Sequence, residues 1–153
     1  EVKPLPISEE FTKELIERSV LIYTGKTRKS FKIANEISSL DNAEAKKKIL
    51  GLSHQAYSSF LDSDIDTVAE CLHSSWNEKK KLSPLVCPKN IDTLYEGLRE
   101  MGMQGGKLLG AGGSGFVFGI FQTKEDKESA KKRYKSKNIN FAIDKNGSQI
   151  INR

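Results

Sequence analysis

The segment GGKLLGAGGSGF, residues 105–116, places six glycines in twelve positions, with the apolar stretches KLL and FVFGIF on either side of GAGGSG. Glycine loses more backbone freedom on folding than any other residue, and each ordered glycine costs about 0.5–1 kcal/mol relative to alanine. A plain hairpin needs only one or two glycines at positive φ. The segment therefore predicts a strand, a loop and a second strand, with a ligand or another stretch of backbone lying very close to the main chain.

The residues after the loop decide which known glycine-loop types remain possible. Gly110, Gly112 and Gly115 satisfy the dinucleotide-binding pattern G-x-G-x-x-G, but that pattern requires a helix next, and the strand-like FVF follows here. With Val117 the loop also matches the glycine-rich loop of protein kinases, yet the 36 residues after Val117 contain no H-R-D or D-F-G sequence. No G-K-[ST] closes the pattern, which excludes a Walker A loop. A nest of backbone N–H groups that faces anionic oxygens, or a tight hairpin without a ligand, remains.

The sequence before the glycine segment predicts mainly helices. We expect an extended VKPLPIS, a short helix EEFTKELIERS capped by Ser8, a buried strand SVLIYT (19–24) and a helix after Gly25. Three further helices are expected at about residues 43–61, from a capping sequence SDID (63–66), and from about Pro88 to Gly102. The second of these carries a core-facing stripe at helical spacing, namely Ile65, Val68, Ala69, Leu72 and Trp76.

The sequence from the glycine segment onward predicts mainly strands. We expect KLLG and FVFGIF as strands, a helix over about residues 124–135, and a final hairpin of INFAID and SQII around KNG. Helices grouped in the middle, with strands paired toward both ends, are typical of an α+β protein and not of alternating β-α-β units. The predicted fold is an antiparallel sheet with helices packed on one face and an inserted helical segment. Residues 1–153 are expected to form a single domain.

The composition indicates a folded chain without a membrane span. Hydrophobic residues make up 37% of the chain, no stretch approaches the roughly 20 apolar residues of a transmembrane helix, and EVKPLPISEE lacks the apolar part of a signal peptide. The two cysteines are too few for a disulfide scaffold and are expected to be reduced thiols in a cytoplasmic protein. Cys71 and His73, two residues apart on a helix, point to different faces, so core packing is expected there and not a metal site.

The net charge of +5 is unevenly distributed, because seven basic and three acidic side chains lie between Lys124 and Lys137. A basic segment can attract nucleic acid or an acidic membrane. The alternative is a solvated helix face, which mixed charges at helical spacing favour. The segment also lacks an aromatic platform on which single-stranded nucleic acid could stack. We therefore expect neither a nucleic-acid nor a membrane partner.

The residues GGKLLGAGGSGF, which follow a helix ending in EMG, strongly resemble the third motif of the GHMP small-molecule kinases. That family includes galactokinase, homoserine kinase, mevalonate kinase and phosphomevalonate kinase. The segments LIYTGKTRKS (21–30), WNEKKKLS (76–83) and the final FAIDKNGSQII are similar to the sugar-kinase branch that phosphorylates heptose phosphates. The similarity covers nearly the whole chain. The glycine motif is specific to the superfamily, whereas Y-T-G-x-x-R and W-x-x-K carry the narrower assignment.

The resemblance implies the C-terminal half of a kinase with two halves. In the family the N-terminal half carries a P-x-x-x-G-L-G-S-S-A type loop around the nucleotide phosphates, a metal-binding acid and often a catalytic aspartate, and no such sequence occurs here. The C-terminal half adopts a ferredoxin-like α+β fold elaborated with helices. The lack of an initiating Met agrees with a piece of a longer protein. We expect the other half to bind ATP and Mg²⁺, this chain to hold no catalytic or metal-binding residue, and the chain alone to lack kinase activity.

The same resemblance implies that the third motif lies at the cleft between the halves, beside the transferred phosphate. Backbone N–H groups there stabilise charge on the phosphoryl oxygens without a bulky side chain in the way. Ser114 stands where many relatives have glycine, and its hydroxyl either adds a donor or narrows the loop. The expected phosphate-binding residues are Gly110, Ala111, Gly112, Gly113, Ser114 and Gly115.

A second contact is expected at TGKTR, residues 24–28, where a strand ends in a glycine turn at a helix N-terminus. That geometry favours an anion, and arginine can hold a phosphate through two hydrogen bonds. The alternative is a helix cap by Thr27 with exposed basic residues. Trp76 is expected in the core, and Lys79 one turn further along the helix can reach a substrate phosphate. The expected substrate-binding residues are Thr24, Gly25, Arg28, Lys79 and Lys107.

Two hypotheses for the function follow. In the first, the chain is the substrate-facing C-terminal domain of an ATP-dependent sugar or sugar-phosphate kinase, which transfers the γ-phosphate to a sugar hydroxyl and has the N-terminal half as its partner. In the second, it is a free-standing ferredoxin-like module that binds a ligand or regulates without catalysis. An in-frame G-L-G-S-S type segment upstream would support the kinase, and a start codon just before Glu1 would support the module.

Overall fold

The structure is a computed structural model and describes residues 5–25, 30–39 and 42–144. In these ranges it contains six helices and three strands, which are α1 (Glu9–Arg18), β1 (Ser19–Tyr23), α2 (Ser30–Ser39), α3 (Ala43–Leu61), α4 (Ile65–Lys80), α5 (Lys89–Glu100), β2 (Met103–Leu108), β3 (Phe116–Phe121) and α6 (Lys124–Arg133). The helices were predicted in this order, and α3 has the predicted bounds. The α+β class is confirmed.

Side-chain caps determine where two of the predicted helices begin. The hydroxyl of Ser8 accepts a hydrogen bond from the N–H of Phe11 at 3.0 Å, at the start of α1. The carboxylate of Asp64 accepts one from the N–H of Thr67 at 3.0 Å, at the start of α4. Each cap satisfies a first-turn N–H that has no partner inside the helix. Local sequence was therefore sufficient to place these helix starts.

The three strands form an antiparallel sheet in the order β1-β3-β2. Beyond β1, the N–H of Tyr23 donates to the carbonyl of Lys137 at 2.8 Å, and the N–H of Ile139 donates to the carbonyl of Leu21 at 2.8 Å. Residues 137–139 thus occupy the edge next to β1, where a fourth strand lies in the ferredoxin-like order. The helices α2 to α5 connect β1 to β2, and they form the expected inserted helical segment.

The predicted final hairpin is not present in the described residues. Residues 139–144 (INFAID) form no strand, and the pairing with β1 ends at a single bridge between Asn138 and Ile22. Of the alternating apolar residues, Phe141 packs edge-on against Phe118 with ring centroids 6.0 Å apart, whereas Ile139 and Ile143 are 42% and 41% exposed. The second part of the predicted hairpin, KNG and SQII, lies outside the described residues. Residues 5–8 of the expected extended start form no strand, and residues 1–4 lie outside the described residues.

Two hydrophobic clusters lie on opposite faces of the sheet, because side chains alternate along a strand. On β3, Val117 and Phe121 belong to the larger cluster, and Ile120 belongs to the smaller one. The larger cluster also contains the fully buried Trp76 of α4 and four residues of α5, namely Ile91, Leu94, Tyr95 and Leu98. The smaller one joins α1 to the predicted stripe of α4 through Phe11, Ile65, Val68 and Ala69. This packing fixes α4 and the sheet relative to each other.

Strand β2 begins four residues earlier than predicted, because Gly105 and Gly106 belong to the strand and not to the loop. A Cβ on Gly105 would lie 1.7 Å from the carbonyl oxygen of Ala69, so the backbones of α4 and β2 are in direct contact. A Cβ on Gly106 would lie 2.3 Å from the carbonyl oxygen of Phe118. This pair of glycines is therefore explained by close approach of another backbone, which is one of the two predicted reasons for the glycine excess.

Candidate functional site

The loop between β2 and β3 contains four glycines in a backbone conformation that other residues rarely adopt. Gly110, Gly112, Gly113 and Gly115 have φ values of 76°, 122°, 74° and 118°. Positive φ brings the Cβ of an L-residue too close to the backbone, at a cost of about 1–2 kcal/mol per residue. A two-residue hairpin needs two such positions at most. The loop is thus a distinct main-chain structure and not a minimal turn.

Two other segments of the chain hold this loop in place. The N–H of Gly113 donates to the carbonyl of Val86 at 2.8 Å, and a Cβ on Gly112 would lie 2.9 Å from the Cα of Val86. At the other end, the N–H of Gly115 donates to the hydroxyl of Thr24 at 3.0 Å. The carbonyl of Gly115 accepts from the N–H of Thr24 at 2.9 Å. Both contacts restrict the loop before any ligand binds.

Other N–H groups of the loop have no acceptor in the part of the chain that the structure describes. They are those of Gly110, Ala111, Gly112 and Ser114. Gly112 is buried, Ala111 and Ser114 are half-buried, and Gly110 is exposed. Successive N–H groups in such conformations form concave binding sites for anions. A Cβ on Gly110 would meet no atom within 4 Å, so close packing does not account for that glycine.

Two half-buried lysines lie beside the loop. Lys79, in the last turn of α4, donates a hydrogen bond from Nζ to the carbonyl oxygen of Gly110. Lys107 lies in β2, just before the loop. Neither ammonium group has a carboxylate within 4.0 Å among the described residues. The positive charge at this edge of the loop is therefore not compensated by the described residues.

The pKa values of both lysines reflect this lack of compensation. Burial, together with the smaller effect of the positive charge of Lys107, lowers the pKa of Lys79 to about 8. Burial also lowers the pKa of Lys107. Removal from water disfavours the charged form of an amine, and a nearby positive charge disfavours it again. A bound anion would favour the charged form of both side chains.

The structure brings several of the predicted site residues together. Thr24, Lys79 and Lys107 all lie against the loop or directly before it, although they are far apart in the sequence. Thr24 is 7% exposed, and its hydroxyl oxygen accepts the hydrogen bond from the N–H of Gly115, so Thr24 holds the loop in place. Gly25 follows it with φ of 81° and is exposed. Arg28 lies outside the described residues, and its expected role stays a prediction.

Sequence reasoning missed the contact with Val86. The contact uses the carbonyl oxygen and the Cα of Val86, which every residue type supplies, so no sequence pattern could have indicated it. The segment that carries Val86 is itself held, because the hydroxyl of Ser83 donates to the carboxylate of Glu36 at 2.6 Å. The only possible signal was SPLVCP, a proline-bounded stretch before α5. Trp76 lies in the core, as expected.

Within residues 5–25, 30–39 and 42–144, no three His, Cys, Asp or Glu side chains are grouped so that they could hold a metal ion. None of the helices in these ranges has the length and apolar character needed to span a bilayer. In the basic segment, Lys124 forms an ion pair with Glu17, and Lys127 and Lys131 form ion pairs with Glu128. These pairs fit a solvated helix face, and the absence of a nucleic-acid partner stays a prediction.

The comparisons with known proteins agree on one family. The family model described as "GHMP kinases C terminal" matches residues 56–140. The D-glycero-alpha-D-manno-heptose 7-phosphate kinase of Campylobacter jejuni is 30% identical over 121 residues, which cover 76% of this chain and 36% of that protein. A crystal structure of a candidate sugar kinase from Campylobacter jejuni is 26% identical, covers 95% of this chain and 42% of that one, and has a TM-score of 0.67.

A more distant structure supports the fold. A D-glycero-D-manno-heptose 1-phosphate kinase from Bacteroides thetaiotaomicron is 20% identical, covers 93% of this chain and 38% of that one, and has a TM-score of 0.63. In each of these comparisons the chain spans less than half of the relative's length. The family match includes the glycine loop, since residues 110–115 lie within the matched residues 56–140.

Proposed function

Because the chain belongs to the GHMP kinase family, whose C-terminal domain it carries, we propose that it is the substrate-facing domain of an ATP-dependent sugar or sugar-phosphate kinase. The acceptor class follows from the heptose-phosphate and sugar kinases to which the chain is similar. The remaining two thirds or so of such an enzyme would supply the nucleotide loop. The proposed partner of this domain is therefore the N-terminal half of the same kinase.

The observation that carries the proposal is the fixed glycine loop with unused N–H groups. The contacts with Val86 and Thr24 hold the loop, and the N–H groups of Gly110, Ala111 and Ser114 remain at its partly or fully exposed positions. Phosphoryl transfer depends mainly on positioning and on stabilisation of charge on the oxygens of the transferred group. Donors that are already in place need not reorganise during the reaction. The loop is suited to this task.

In the proposed reaction an oxygen of a sugar hydroxyl attacks the γ-phosphorus of ATP. A new P–O bond forms to the sugar, the bond to the leaving ADP breaks, and the proton of the sugar hydroxyl is released. The loop N–H groups would donate to the phosphoryl oxygens during this exchange. A Mg²⁺ ion bound with the nucleotide would neutralise phosphate charge, but the described residues offer no set of carboxylates for it. We therefore assign no metal ligand to this part of the protein, and the other half is the proposed source of the group that accepts the hydroxyl proton.

Phosphotransfer by the intact protein that carries this chain tests the proposal. ADP formation would be measured with ATP and a panel of hexoses, heptoses and their phosphates, and products would be identified by mass spectrometry. Gly113→Val should abolish the transfer, because Gly113 has φ of 74° and its N–H anchors the loop to Val86. Gly51→Ala is the matched control, since Gly51 is exposed in α3 and a Cβ there meets no atom within 4 Å.

The outcomes separate the two hypotheses for the function. Transfer to a sugar or a sugar phosphate that is lost in Gly113→Val and kept in Gly51→Ala supports the kinase. Unchanged rates in Gly113→Val would mean that the loop only turns the chain. Binding of a sugar phosphate without any transfer by the intact protein would instead support the ligand-binding module.

A further inference from the structure

We propose that the exposed side of helix α3 is an interface between two copies of this protein, whose α3 helices lie antiparallel about a two-fold axis. The surface consists of Leu50, His54, Tyr57 and Leu61, which are all exposed and together form the α3 stripe. The α3 stripe is separate from the glycine loop, and the proposal does not depend on the proposed function.

The first argument is that α3 carries apolar side chains on two sides, while the described chain covers only one. The α3 stripe recurs at i, i+4, i+7 and i+11, and its centre lies about 145° around the helix from the centre of the half-buried side. Leu50 and Tyr57 are 58% and 53% exposed, the highest values among the large apolar side chains of the described residues. An uncovered apolar stripe of this kind marks a contact surface. The half-buried side consists of Ala45, Ile49, Leu52, Ala56 and Phe60.

The second argument is the position of α3 in the fold. Helix α3 packs mainly on α4, and α4 packs on β2, so α3 forms an outer layer. The glycine loop, where the other half of the kinase is proposed to lie, extends from the sheet between β2 and β3. Because α4 separates the α3 stripe from the sheet, a second copy fits this surface better than the other half does.

The third argument is the charge at the two ends of α3. Lys46, Lys47 and Lys48 lie near its beginning, whereas Asp62 and Asp64 follow its last residue. Each sign of charge lies at the helix end where the helix dipole disfavours it. An antiparallel second copy brings the aspartates of one α3 to the lysines of the other, whereas a parallel copy would bring like charges together. The charges are therefore complementary to those of a second copy in one orientation.

Within these charged groups, Lys47 and Asp62 are the expected pair. Lys48 already forms an ion pair inside α3, and Asp64 caps α4. The ammonium group of Lys47 and the carboxylate of Asp62 have no ion-pair partner within 4.0 Å in the part of the chain that the structure describes. Both are therefore available to a second copy.

The helix geometry brings this pair together. Lys47 lies about 50° and Asp62 about 110° from the centre of the α3 stripe, on the same flank, and a two-fold axis brings the same flank of both copies together. An axis midway between His54 and Tyr57 sets Leu50 opposite Leu61 of the second copy. The same axis leaves Lys47 within about 3 Å of Asp62 of the second copy along the helix direction.

The size of the surface predicts a reversible dimer. Helix α3 has 19 residues, so one of its faces is about 28 Å long and about 10 Å wide. That area is smaller than the roughly 800 Å² per partner of a stable interface. We therefore expect the dimer to dissociate on dilution.

Sedimentation velocity of the intact protein tests the interface. Wild type should shift from monomer to dimer between about 1 μM and about 1 mM, because interfaces of this size are usually weak. Leu50→Glu should weaken the dimer at least about 30-fold, since a two-fold axis makes each substitution count twice. Leu50 is mostly exposed in the single copy, so its replacement should leave the unfolding transition unchanged. Ile143→Glu is the matched control, because Ile143 is 41% exposed and lies outside α3.

An exchange of charges tests the antiparallel arrangement. Lys47→Glu and Asp62→Lys should each weaken the dimer about 10-fold, because each creates two pairs of like charges. An equimolar mixture of the two variants should associate nearly as well as wild type. In the mixed dimer the new glutamate of one variant meets the new lysine of the other, and one native pair of Lys47 and Asp62 remains. Lys132→Glu, on the exposed side of α6, is the control for the change in net charge.

Hydroxyl-radical labelling of Tyr57 in the intact protein distinguishes a second copy from other occupants. Labelling should fall with rising concentration, in parallel with dimer formation. Protection of Tyr57 already in the monomer would show that another segment of the same chain covers α3, and it would overturn the proposal. A wild type that stays monomeric, a dimer that Leu50→Glu leaves intact, or a mixture that associates no better than either charge variant would overturn it as well.

Discussion

Replacing Lys79 with methionine should stabilise the free protein at neutral pH. The side chain is half-buried, it lacks a carboxylate partner in the described part of the chain, and its charge lies close to that of Lys107. Methionine keeps most of the aliphatic length and removes the charge. The free protein then no longer keeps an uncompensated ammonium group partly away from water.

The size and pH range of the effect follow from the pKa. The value is 10.5 for an ordinary lysine and about 8 in the fold, a difference that corresponds to at most about 3.4 kcal/mol. Partial exposure screens this energy, and the hydrogen bond to Gly110 is lost, so we expect a net gain of about 1–2 kcal/mol at pH 7. The folded pKa is the lower one, so between pH 8 and 10.5 the unfolded chain binds more protons than the folded one. Wild-type stability therefore rises with pH in that window, and the advantage of Lys79→Met disappears above it.

Urea unfolding of the intact protein at a series of pH values between 7 and 10.5 measures the effect. The free energy of unfolding would be compared for wild type, Lys79→Met and the exposed control Lys81→Met. At pH 7 a gain of 1–2 kcal/mol corresponds to a rise of about 2–8 °C in melting temperature. The reasoning is refuted if Lys79→Met is less stable than wild type at pH 7, or if the difference between them is the same at pH 7 and pH 10.5.

Three other substitutions test how the loop is held. Thr24→Val removes the hydroxyl that accepts the hydrogen bond from the N–H of Gly115. We expect a loss of about 1–3 kcal/mol in the free energy of urea unfolding, together with lower phosphotransfer. Wild-type stability would contradict the anchoring role of Thr24. Gly105→Ala places a Cβ 1.7 Å from the carbonyl oxygen of Ala69 in α4. It should lower the free energy of unfolding by at least about 3 kcal/mol and reduce the yield of folded protein. A variant as stable as wild type would show that α4 and β2 can move apart. Gly112→Ala combines φ of 122° with a Cβ 2.9 Å from the Cα of Val86. It should lower the free energy of unfolding by about 1–3 kcal/mol and reduce phosphotransfer at least tenfold, while Gly51→Ala keeps both the stability and the activity. Equal phosphotransfer rates in the two variants would contradict a role of the loop in the reaction.

Much of the fold was predictable because its elements depend on local sequence. The hydroxyl of Ser8 and the carboxylate of Asp64 cap helices within three residues of their own position. The stripe of α4 contains the fully buried Trp76, as its spacing predicts. Such features need no knowledge of the rest of the chain. The predicted strand INFAID is not formed for the opposite reason, since a turn sequence does not show whether the residues before it reach a sheet edge, and Ile143 does not.

The candidate site was only partly predictable. The glycine count indicated a special loop, and the loop has four glycines at positive φ. The same count could not separate glycines that face another backbone from glycines that leave N–H groups unused. Gly105 belongs to the first kind and Gly110 to the second, and only the positions of Ala69 and the open space around the loop distinguish them.

By itself, the sequence determined the class of fold, the starts of the capped helices α1 and α4, and the presence of a glycine-rich loop between two strands. The tertiary structure decided which distant residues meet at that loop. Thr24, Lys79 and Val86 converge there from a strand end, a helix end and an irregular segment. The physical reason is that local patterns record backbone conformation and burial. Contacts through main-chain atoms and uncompensated charges arise only when packing brings separate segments together.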